Sequence, residues 1–295
     1  MVAQRIRVVG VIGAGQMGSG IAQVVAQSGY SVVLQDVSEA FLETGLRRIQ
    51  QSLERLQKKG TLNEEQVKEV RGRIRNTLDL AEMKDAQIVV EAATENLNIK
   101  EEIFRRLDAV APADTILATN TSSISITRIA AVTGRPDKVI GMHFMNPVPV
   151  MELVEVIRGL ATSAETFQCV QALSKSLGKT PVEAQDFPGF IVNRILMPYL
   201  AEAMRAFEEG VGTADDIDTG ARVGLNHPMG PLELADFIGL DVCLGIMRVL
   251  WDGLESEQFR PPQVLIRLVA AGHLGQKTGQ GFHTYPRPDR PAVGR

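Results

Sequence analysis

The sequence predicts an α/β fold, a doubly wound sheet with a helical-hairpin insertion, followed by an all-α C-terminal domain. Three observations in its 295 residues lead to this prediction. Apolar, β-branched runs alternate with helix-length segments through the first two thirds of the chain, which is typical of βαβ units in a parallel sheet. One stretch without strand signals interrupts that alternation after the second strand. Beyond a Pro-Gly break near residue 186, only helical periodicity remains.

The first strand, 7–12, reads RVVGVI, a continuous apolar run of the kind that a strand buried on both faces requires. A helix should follow from Gln16 to about Ser28, where Gly29 ends it. The other predicted strands are 31–36, 88–93, 115–120, 138–144 and 153–157.

The insertion covers residues 38–76, for which we predict a helical hairpin and no strand. In its first part, leucine and isoleucine recur at intervals of four and three residues, which marks one face of a helix. Asn63 followed by Glu64 and Glu65 predicts the cap of a second helix. The apolar face of that second helix is expected to continue through Ile74.

The segment Asp186-Phe-Pro-Gly marks the predicted domain boundary. We assign 1–187 to the first domain, 188–285 to an all-α domain, and 286–295 to a proline-rich tail that we expect to be disordered. The predicted helices of the second domain are 190–209, 213–223, 230–253 and 261–271. Glycines stand where three of these helices should end, at Gly210, Gly224 and Gly272.

Composition and charge argue against several classes of function. A formal net charge of −4 gives no overall attraction for nucleic acid or for an anionic membrane. The two cysteines and four histidines show no metal-binding spacing, so we expect no metal, and so few cysteines fit a reducing compartment. No apolar run approaches the roughly 18 residues of a membrane span, and the N-terminus lacks the features of a signal peptide. We therefore expect a cytoplasmic protein without a nucleic-acid or membrane partner.

Residues 13–18 read Gly-Ala-Gly-Gln-Met-Gly and lie between a predicted strand and a predicted helix, the context of a Rossmann-type dinucleotide site. Gly13 permits the tight turn, Gly15 lets a pyrophosphate approach the backbone, and Gly18 lets the helix pack closely on the strand. Asp36 ends the next strand, where its carboxylate would accept hydrogen bonds from a ribose and repel a 2′-phosphate. The sequence therefore favours NAD, the alternative being a glycine-rich turn beside a solvated aspartate.

Two strand-like segments flank Asn-Pro-Val-Pro within residues 138–157. If they fold back antiparallel about Pro149, His143 faces Glu155 across the two strands. An imidazole held by a carboxylate is typical of a general base, such as a dehydrogenase needs at an alcohol carbon. A core histidine satisfied by a nearby carboxylate is the structural alternative, and the nucleotide motif upstream favours the catalytic interpretation.

Two other polar positions have two readings each. The segment 120–123, Asn-Thr-Ser-Ser, follows a strand and should open onto the carboxyl edge of the sheet, where ligands bind, or it caps the next helix. Asn193 interrupts an otherwise apolar helix and is either a surface position or a deliberate contact. Periodicity does not decide between them.

With these residues in view, the chain resembles the L-3-hydroxyacyl-CoA dehydrogenase family over about residues 5–285. The motifs that carry the resemblance include VIGAGQMGSGIAQ, VEAATENLNIKEEIF, ATNTSSISIT, HFMNPVPVMELVEVI, DFPGFIVNRILMPYLAEA, HPMGPLELADFIGLD and GQKTGQGF. The resemblance implies reversible, NAD-dependent oxidation of a (3S)-3-hydroxyacyl-CoA, for example 3-hydroxybutyryl-CoA, to the 3-oxoacyl-CoA. It also implies a homodimer formed through the C-terminal helical domain.

The same resemblance implies roles for individual residues. His143 would be the general base, Glu155 would orient it, and Ser122 and Asn193 would hold the substrate near the base. The positions implied to line the NAD site are Gly13, Ala14, Gly15, Gln16, Met17, Gly18, Asp36, Glu95, Lys100, Asn120, Ser122, Asn146 and Lys277. The positions implied to contact CoA are Ser52, Lys59 and Lys100.

The charge of the insertion bears on the substrate independently. Residues 38–75 contain nine Lys and Arg against six acidic residues, a net charge of +3 within a chain of −4. A basic hairpin beside a nucleotide site suits the phosphates of CoA, although a solvated helix face with scattered ion pairs gives the same count. Two other functions remain open at this point, an NAD-dependent dehydrogenase of a CoA-free hydroxy or sugar acid and a non-catalytic NAD-binding protein.

Overall fold

A computed structural model describes residues 6–286, and two compact units divide the chain, one ending at Phe190 and the next beginning at Ile191. Apart from Pro286, the tail predicted at 286–295 lies outside the described residues.

The described part of the first unit is built on one eight-stranded sheet. Its strands are β1 (Val8–Ile12), β2 (Ser31–Gln35), β3 (Ile74–Thr77), β4 (Ile88–Glu91), β5 (Ile116–Thr119), β6 (Val139–Phe144), β7 (Leu153–Arg158) and β8 (Thr180–Gln185). They lie in the order β3-β2-β1-β4-β5-β6-β7-β8, and each neighbouring pair is parallel except the antiparallel pair β6 and β7.

Helices cover both faces of this sheet, which confirms the doubly wound α/β prediction. They are α1 (Gln16–Gln27), α2 (Glu39–Lys58), α3 (Glu64–Gly72), α4 (Leu97–Val110), α5 (Ile126–Ala130) and α6 (Ala164–Ser176). Successive residues of one strand enter different cores: Ile88 and Val90 pack in one apolar cluster, and Val89 packs in the other. The first cluster also holds residues of α1, α2, α3 and α6, and the second holds residues of α4 and α5. Burial on both faces explains the continuous apolar strands.

The predicted helical hairpin corresponds to α2 and α3, and Asn63 caps α3 as expected. Its side chain accepts a hydrogen bond from the Gln66 backbone N–H, and the Gln66 side chain accepts one from Asn63. The prediction that 38–76 contains no strand is wrong at its end, because β3 begins at Ile74 and pairs with β2. This strand was missed because it lies at the edge of the sheet, where two of its four residues are exposed and polar.

The opposite edge of the sheet explains a second omission. No strand was predicted between 158 and 186, yet β8 pairs in parallel with β7. Its sequence, TPVEAQ, contains a proline and three polar residues, and most of its positions are partly or fully exposed. A strand that is solvated on its outer side does not need the apolar run by which the central strands are recognised.

The described second unit is all-α, as predicted. Its helices are α7 (Val192–Glu208), α8 (Ala214–Thr219), α9 (Pro231–Ile238), α10 (Leu240–Leu254) and α11 (Gln263–Ala270), and the segment Gly220–Gly224 continues α8 as one π-helical turn. The single helix predicted over 230–253 is wrong: the chain breaks at Gly239, whose φ of +104° belongs to neither helix. Both α9 and α10 pack on one apolar core, so the apolar periodicity runs across the break. Among the described residues, no helix is long and apolar enough to cross a membrane.

Candidate active site

The glycine-rich turn joins β1 to α1 at the carboxyl end of the sheet. Gly13 has a φ of +94°, and its N–H donates to the Gln35 carbonyl of the neighbouring strand at 2.8 Å. A Cβ atom on Gly18 would lie 1.7 Å from the Gly13 carbonyl oxygen, so only glycine lets the helix pack this closely. A Cβ on Gly15 would meet no heavy atom within 4 Å. Open space therefore lies beside Gly15, where the sequence predicts that a pyrophosphate approaches.

The first turn of α1 suits an anion. Gly15 is the residue before the helix, and no side chain caps its first N–H groups. Such groups carry the positive end of the helix dipole and bind phosphate oxygens. The residues of the turn therefore fit the pyrophosphate of a dinucleotide.

Asp36 lies at the end of β2, next to the same turn. Its Oδ2 accepts a hydrogen bond from the Ala14 N–H at 2.6 Å, and its Oδ1 accepts one from the Val37 N–H at 2.7 Å. Each carboxylate oxygen has a second lone pair, so the group can also accept from a ribose hydroxyl. The position and chemistry of Asp36 fit the adenosine ribose expected there.

The antiparallel register of β6 and β7 sets His143 directly opposite Glu155, as the hairpin geometry predicts. The His143 Nδ1 and the Glu155 Oε2 are 2.7 Å apart. Glu155 is completely buried and His143 is 8% exposed. A carboxylate can only accept hydrogen bonds, so Nδ1 carries a hydrogen and Nε2 is left as the acceptor.

Phe190 belongs to the surroundings of His143, and sequence reasoning missed it. Their ring centroids are 5.8 Å apart and the rings are tilted by 60°. Phe190 is buried and has a φ of +48°, a conformation that bulky side chains rarely adopt. Backbone strain of this kind is concentrated at functional sites. The sequence signal was the Asp186-Phe-Pro-Gly segment just before it, which we interpreted only as a domain boundary.

The loop between β6 and β7 brings further predicted residues together. Asn146 accepts a hydrogen bond from the Gln16 side chain at 2.9 Å, which connects this loop to the glycine-rich turn. Asn120, at the end of β5, accepts one from the Phe144 N–H at 2.8 Å. The buried ammonium of Lys179 donates to the Val148 and Met151 carbonyls at 2.6 and 2.7 Å. Sequence reasoning missed Lys179, because an isolated lysine before a strand carries no signal of burial.

Glu95 and Ser122 also lie together, at the carboxyl ends of the strands. The Glu95 Oε1 accepts from the Ser122 N–H at 2.8 Å and lies 3.0 Å from the Ser122 hydroxyl. Burial raises the pKa of the Glu95 carboxyl, but the nearby Lys100 ammonium and hydrogen bonds from Thr121 and Ser122 outweigh it, so the net pKa falls below its usual value.

Lys100 is enclosed in the protein. Its side chain is 2% exposed, and its Nζ donates to both carboxylate oxygens of the fully buried Glu91, at 2.7 and 2.8 Å. Lys100 lies on α4, whereas Ser52 and Lys59, the other expected CoA contacts, lie within and just after α2. Because α2 and α4 pack on different cores, the expected CoA contacts come from helices on different faces of the sheet.

Two predicted site residues belong to the second unit. Asn193 is buried in the first turn of α7, and Lys277 forms an ion pair with Asp241. Within residues 6–286, no group of three His, Cys, Asp or Glu side chains could hold a metal ion.

Comparison with known proteins gives consistent matches along the chain. Residues 8–187 match the family model for the 3-hydroxyacyl-CoA dehydrogenase NAD binding domain, and residues 189–285 match that for the C-terminal domain. A probable 3-hydroxybutyryl-CoA dehydrogenase of Bacillus subtilis is 54% identical over 95% of this chain and 98% of the relative. A 3-hydroxybutyryl-CoA dehydrogenase of Bradyrhizobium diazoefficiens is 50% identical over 95% and 96%. The crystal structure of an (S)-3-hydroxybutyryl-CoA dehydrogenase from Ralstonia eutropha has a TM-score of 0.92 and 48% identity, covering 96% of this chain and all of that one.

Proposed function

Because the chain belongs to the 3-hydroxyacyl-CoA dehydrogenase family, we propose that His143 is the general base of its reaction and that Glu155 orients it. The protein is an NAD-dependent oxidoreductase that oxidises 3-hydroxyacyl-CoA to 3-oxoacyl-CoA. The observation that carries the proposal is the 2.7 Å hydrogen bond between two buried side chains, His143 and Glu155, on neighbouring strands.

The proton transfer follows from this hydrogen bond. With Nδ1 committed to Glu155, the His143 Nε2 takes the proton of the substrate 3-hydroxyl. The Glu155 carboxylate then stabilises the imidazolium that forms, as in other carboxylate–histidine pairs. In the reducing direction, the same nitrogen returns the proton to the 3-oxo oxygen. NAD, when bound, accepts the hydride from the substrate C3.

The turn 13–18 and Asp36 hold the cofactor in this proposal. N–H groups at the start of α1 bind the pyrophosphate, and Asp36 accepts from the adenosine ribose. The charge of Asp36 also repels a 2′-phosphate, which favours NAD over NADP. The other proposed cofactor contacts are Glu95, Lys100, Asn120, Ser122, Asn146 and Lys277.

The substrate contacts are Ser122 and Asn193 near the reacting oxygen, and Ser52 and Lys59 at the CoA phosphates. Lys59 is exposed and Ser52 is half-buried on the basic hairpin, which supports a phosphate contact there. Lys100 is the weakest of the three CoA assignments, because its ammonium is already bound by Glu91.

We further propose a homodimer formed through the second unit, in the cytoplasm. Val211, Val223 and Leu225 in that unit are 62–80% exposed, so large apolar side chains are available there for contact with a second copy. Both cysteines, Cys169 and Cys243, are free and buried, in keeping with a reducing compartment.

A substrate panel tests the proposed function. NADH oxidation is followed with acetoacetyl-CoA, with free acetoacetate, and with NADPH in place of NADH. We expect turnover with the thioester and NADH, and at most traces in the other two reactions. Comparable turnover of free acetoacetate would support a CoA-free hydroxy acid as the substrate, and comparable use of NADPH would contradict the role of Asp36.

A further inference from the structure

An ion-pair network of Glu91, Lys100 and Glu95 contacts the turn 121–123, which contains Ser122, at the carboxyl ends of β4 and β5. The Oε1 of Glu95 lies within hydrogen-bond distance of five donors on three consecutive residues. These are the Thr121 hydroxyl at 2.7 Å, the N–H and hydroxyl of Ser122 at 2.8 and 3.0 Å, and the N–H and hydroxyl of Ser123 at 3.1 and 3.0 Å. One carboxylate oxygen therefore organises the whole turn that presents Ser122.

The five donors cannot all bond equally well, because an oxygen has only two lone pairs. The Thr121 hydroxyl and the Ser122 N–H are the closest and fix the backbone of the turn. The Ser122 hydroxyl is farther from Oε1, and a hydroxyl rotates freely to another acceptor. Ser122 can therefore turn its hydroxyl to a ligand while Glu95 remains satisfied and the turn stays in place.

The second oxygen of Glu95, Oε2, lies 3.8 Å from the Lys100 Nζ. Lys100 is itself fixed by two short hydrogen bonds to Glu91, whose carboxylate also accepts from the Thr119 hydroxyl at 2.7 Å and the Ala93 N–H at 2.8 Å. Burying a lysine that is paired in this way costs much less free energy than burying an unpaired one, and its ammonium cannot move without breaking the ion pair. Lys100 is thus a fixed positive charge behind Glu95.

We propose that Glu95 is a positioning residue for the substrate step, which sets the Ser122 hydroxyl through the 121–123 turn, and that Glu91 and Lys100 hold Glu95 in place. This inference rests on the proposed substrate role of Ser122 and goes beyond a contact of Glu95 or Lys100 with the cofactor. The lowered pKa of Glu95 supports it, because the carboxyl stays ionised and keeps its full strength as an acceptor at neutral pH.

A double-mutant cycle tests the inference. Glu95→Gln, Ser122→Ala and the double variant are assayed with acetoacetyl-CoA at saturating NADH, and the Kd of NADH is measured separately. Each single substitution should lower kcat/KM about 10- to 100-fold, the range expected when a hydrogen bond to a charged group is lost. In the double variant, kcat/KM should lie within about twofold of the Ser122→Ala value, because Glu95 acts through Ser122.

Control variants separate positioning from general damage. Glu102 is exposed and lies on α4, the helix that carries Lys100, so Glu102→Gln should leave kcat/KM unchanged. Lys100→Met alone would leave the buried Glu91 carboxylate without its charge partner and destabilise the protein. The double variant Glu91→Gln/Lys100→Met therefore removes both charges together. This pair of substitutions should lower kcat/KM in the parent protein and have little further effect in the Glu95→Gln background.

The outcomes distinguish this inference from the proposed function. Losses that multiply in the Glu95→Gln/Ser122→Ala variant would overturn the inference and leave the role of Ser122 intact. Full turnover in Ser122→Ala would overturn the substrate role of Ser122, and the inference with it. A loss in Glu95→Gln confined to the Kd of NADH would reduce Glu95 to a cofactor contact.

Discussion

Replacing Glu155 with glutamine tests how the buried pair prepares His143 for proton transfer. Glu155→Gln preserves the volume of a completely buried side chain and removes its charge. The Nδ1–Oε2 distance of 2.7 Å is typical of a charge-assisted hydrogen bond, which contributes about 1.5–3 kcal/mol, whereas a neutral one contributes about 0.5–1.5 kcal/mol. Losing roughly 1–2 kcal/mol of imidazolium stabilisation lowers kcat by about 5- to 30-fold.

A second effect adds to this loss. The glutamine amide can donate to Nδ1, which would leave the hydrogen on Nε2 and remove the acceptor that the substrate hydroxyl needs. In a serine protease, the corresponding change from acid to amide lowers kcat by about four orders of magnitude. We therefore expect a total loss of at least about 100-fold, with the Kd of NADH changed less than about twofold.

The assay measures kcat in both directions, together with the Kd of NADH and the thermal midpoint Tm. Glu183→Gln is the matched control, since Glu183 lies on the neighbouring strand β8 and is partly exposed. It should retain full activity. A folded Glu155→Gln protein whose kcat stays within about twofold of the parent would contradict the role assigned to Glu155.

Four further substitutions test other parts of the structure. Asp36→Ala should weaken NADH binding and reduce the preference for NADH over NADPH, because the ribose acceptor and the charge that repels a 2′-phosphate are both lost. A preference for NADH that is unchanged from the parent protein in competition assays would contradict this. Gly15→Ala should keep its Tm, since the added Cβ meets open space, but it should raise the Kd of NADH at least tenfold. Gly18→Ala should lower the Tm instead, because its Cβ would collide with a backbone carbonyl. Lys179→Met should destabilise the protein by about 1–3 kcal/mol in denaturant titrations, since two carbonyls of the β6–β7 loop lose their buried donor, whereas the exposed Lys175→Met should change stability by less than about 0.5 kcal/mol.

The His143–Glu155 pairing could be predicted because strand register is discrete. Once the two segments are taken to fold back about Pro149, each position has one cross-strand partner, and the observed register agrees. The glycine-rich turn could be predicted for a similar reason, since its strand and helix context fixes what each glycine must do. Local geometry decides both features.

The missed features depend on tertiary context. The strands β3 and β8 lie at the two edges of the sheet, and most of their residues are partly or fully exposed to solvent. They therefore do not need a continuous apolar run. The break at Gly239 leaves the apolar period intact on both sides. The ion pair of Glu91 and Lys100 joins β4 to α4, and its two residues are nine positions apart in the sequence. That spacing matches neither the period of a helix nor that of a strand, so the sequence pattern does not indicate the contact. An acidic residue inside the apolar run IVVEAA was the available signal, because a buried carboxylate requires a partner.

The most direct test of the proposed mechanism is the turnover of His143→Gln with acetoacetyl-CoA and NADH, measured together with the Kd of NADH. The glutamine side chain cannot accept and return the proton of the substrate hydroxyl. We therefore expect kcat to fall by about 10²- to 10⁴-fold, the contribution of a general acid–base group, while NADH binding stays unchanged. A folded variant that binds NADH and turns over at a near-normal rate would contradict the assignment of His143 as the base.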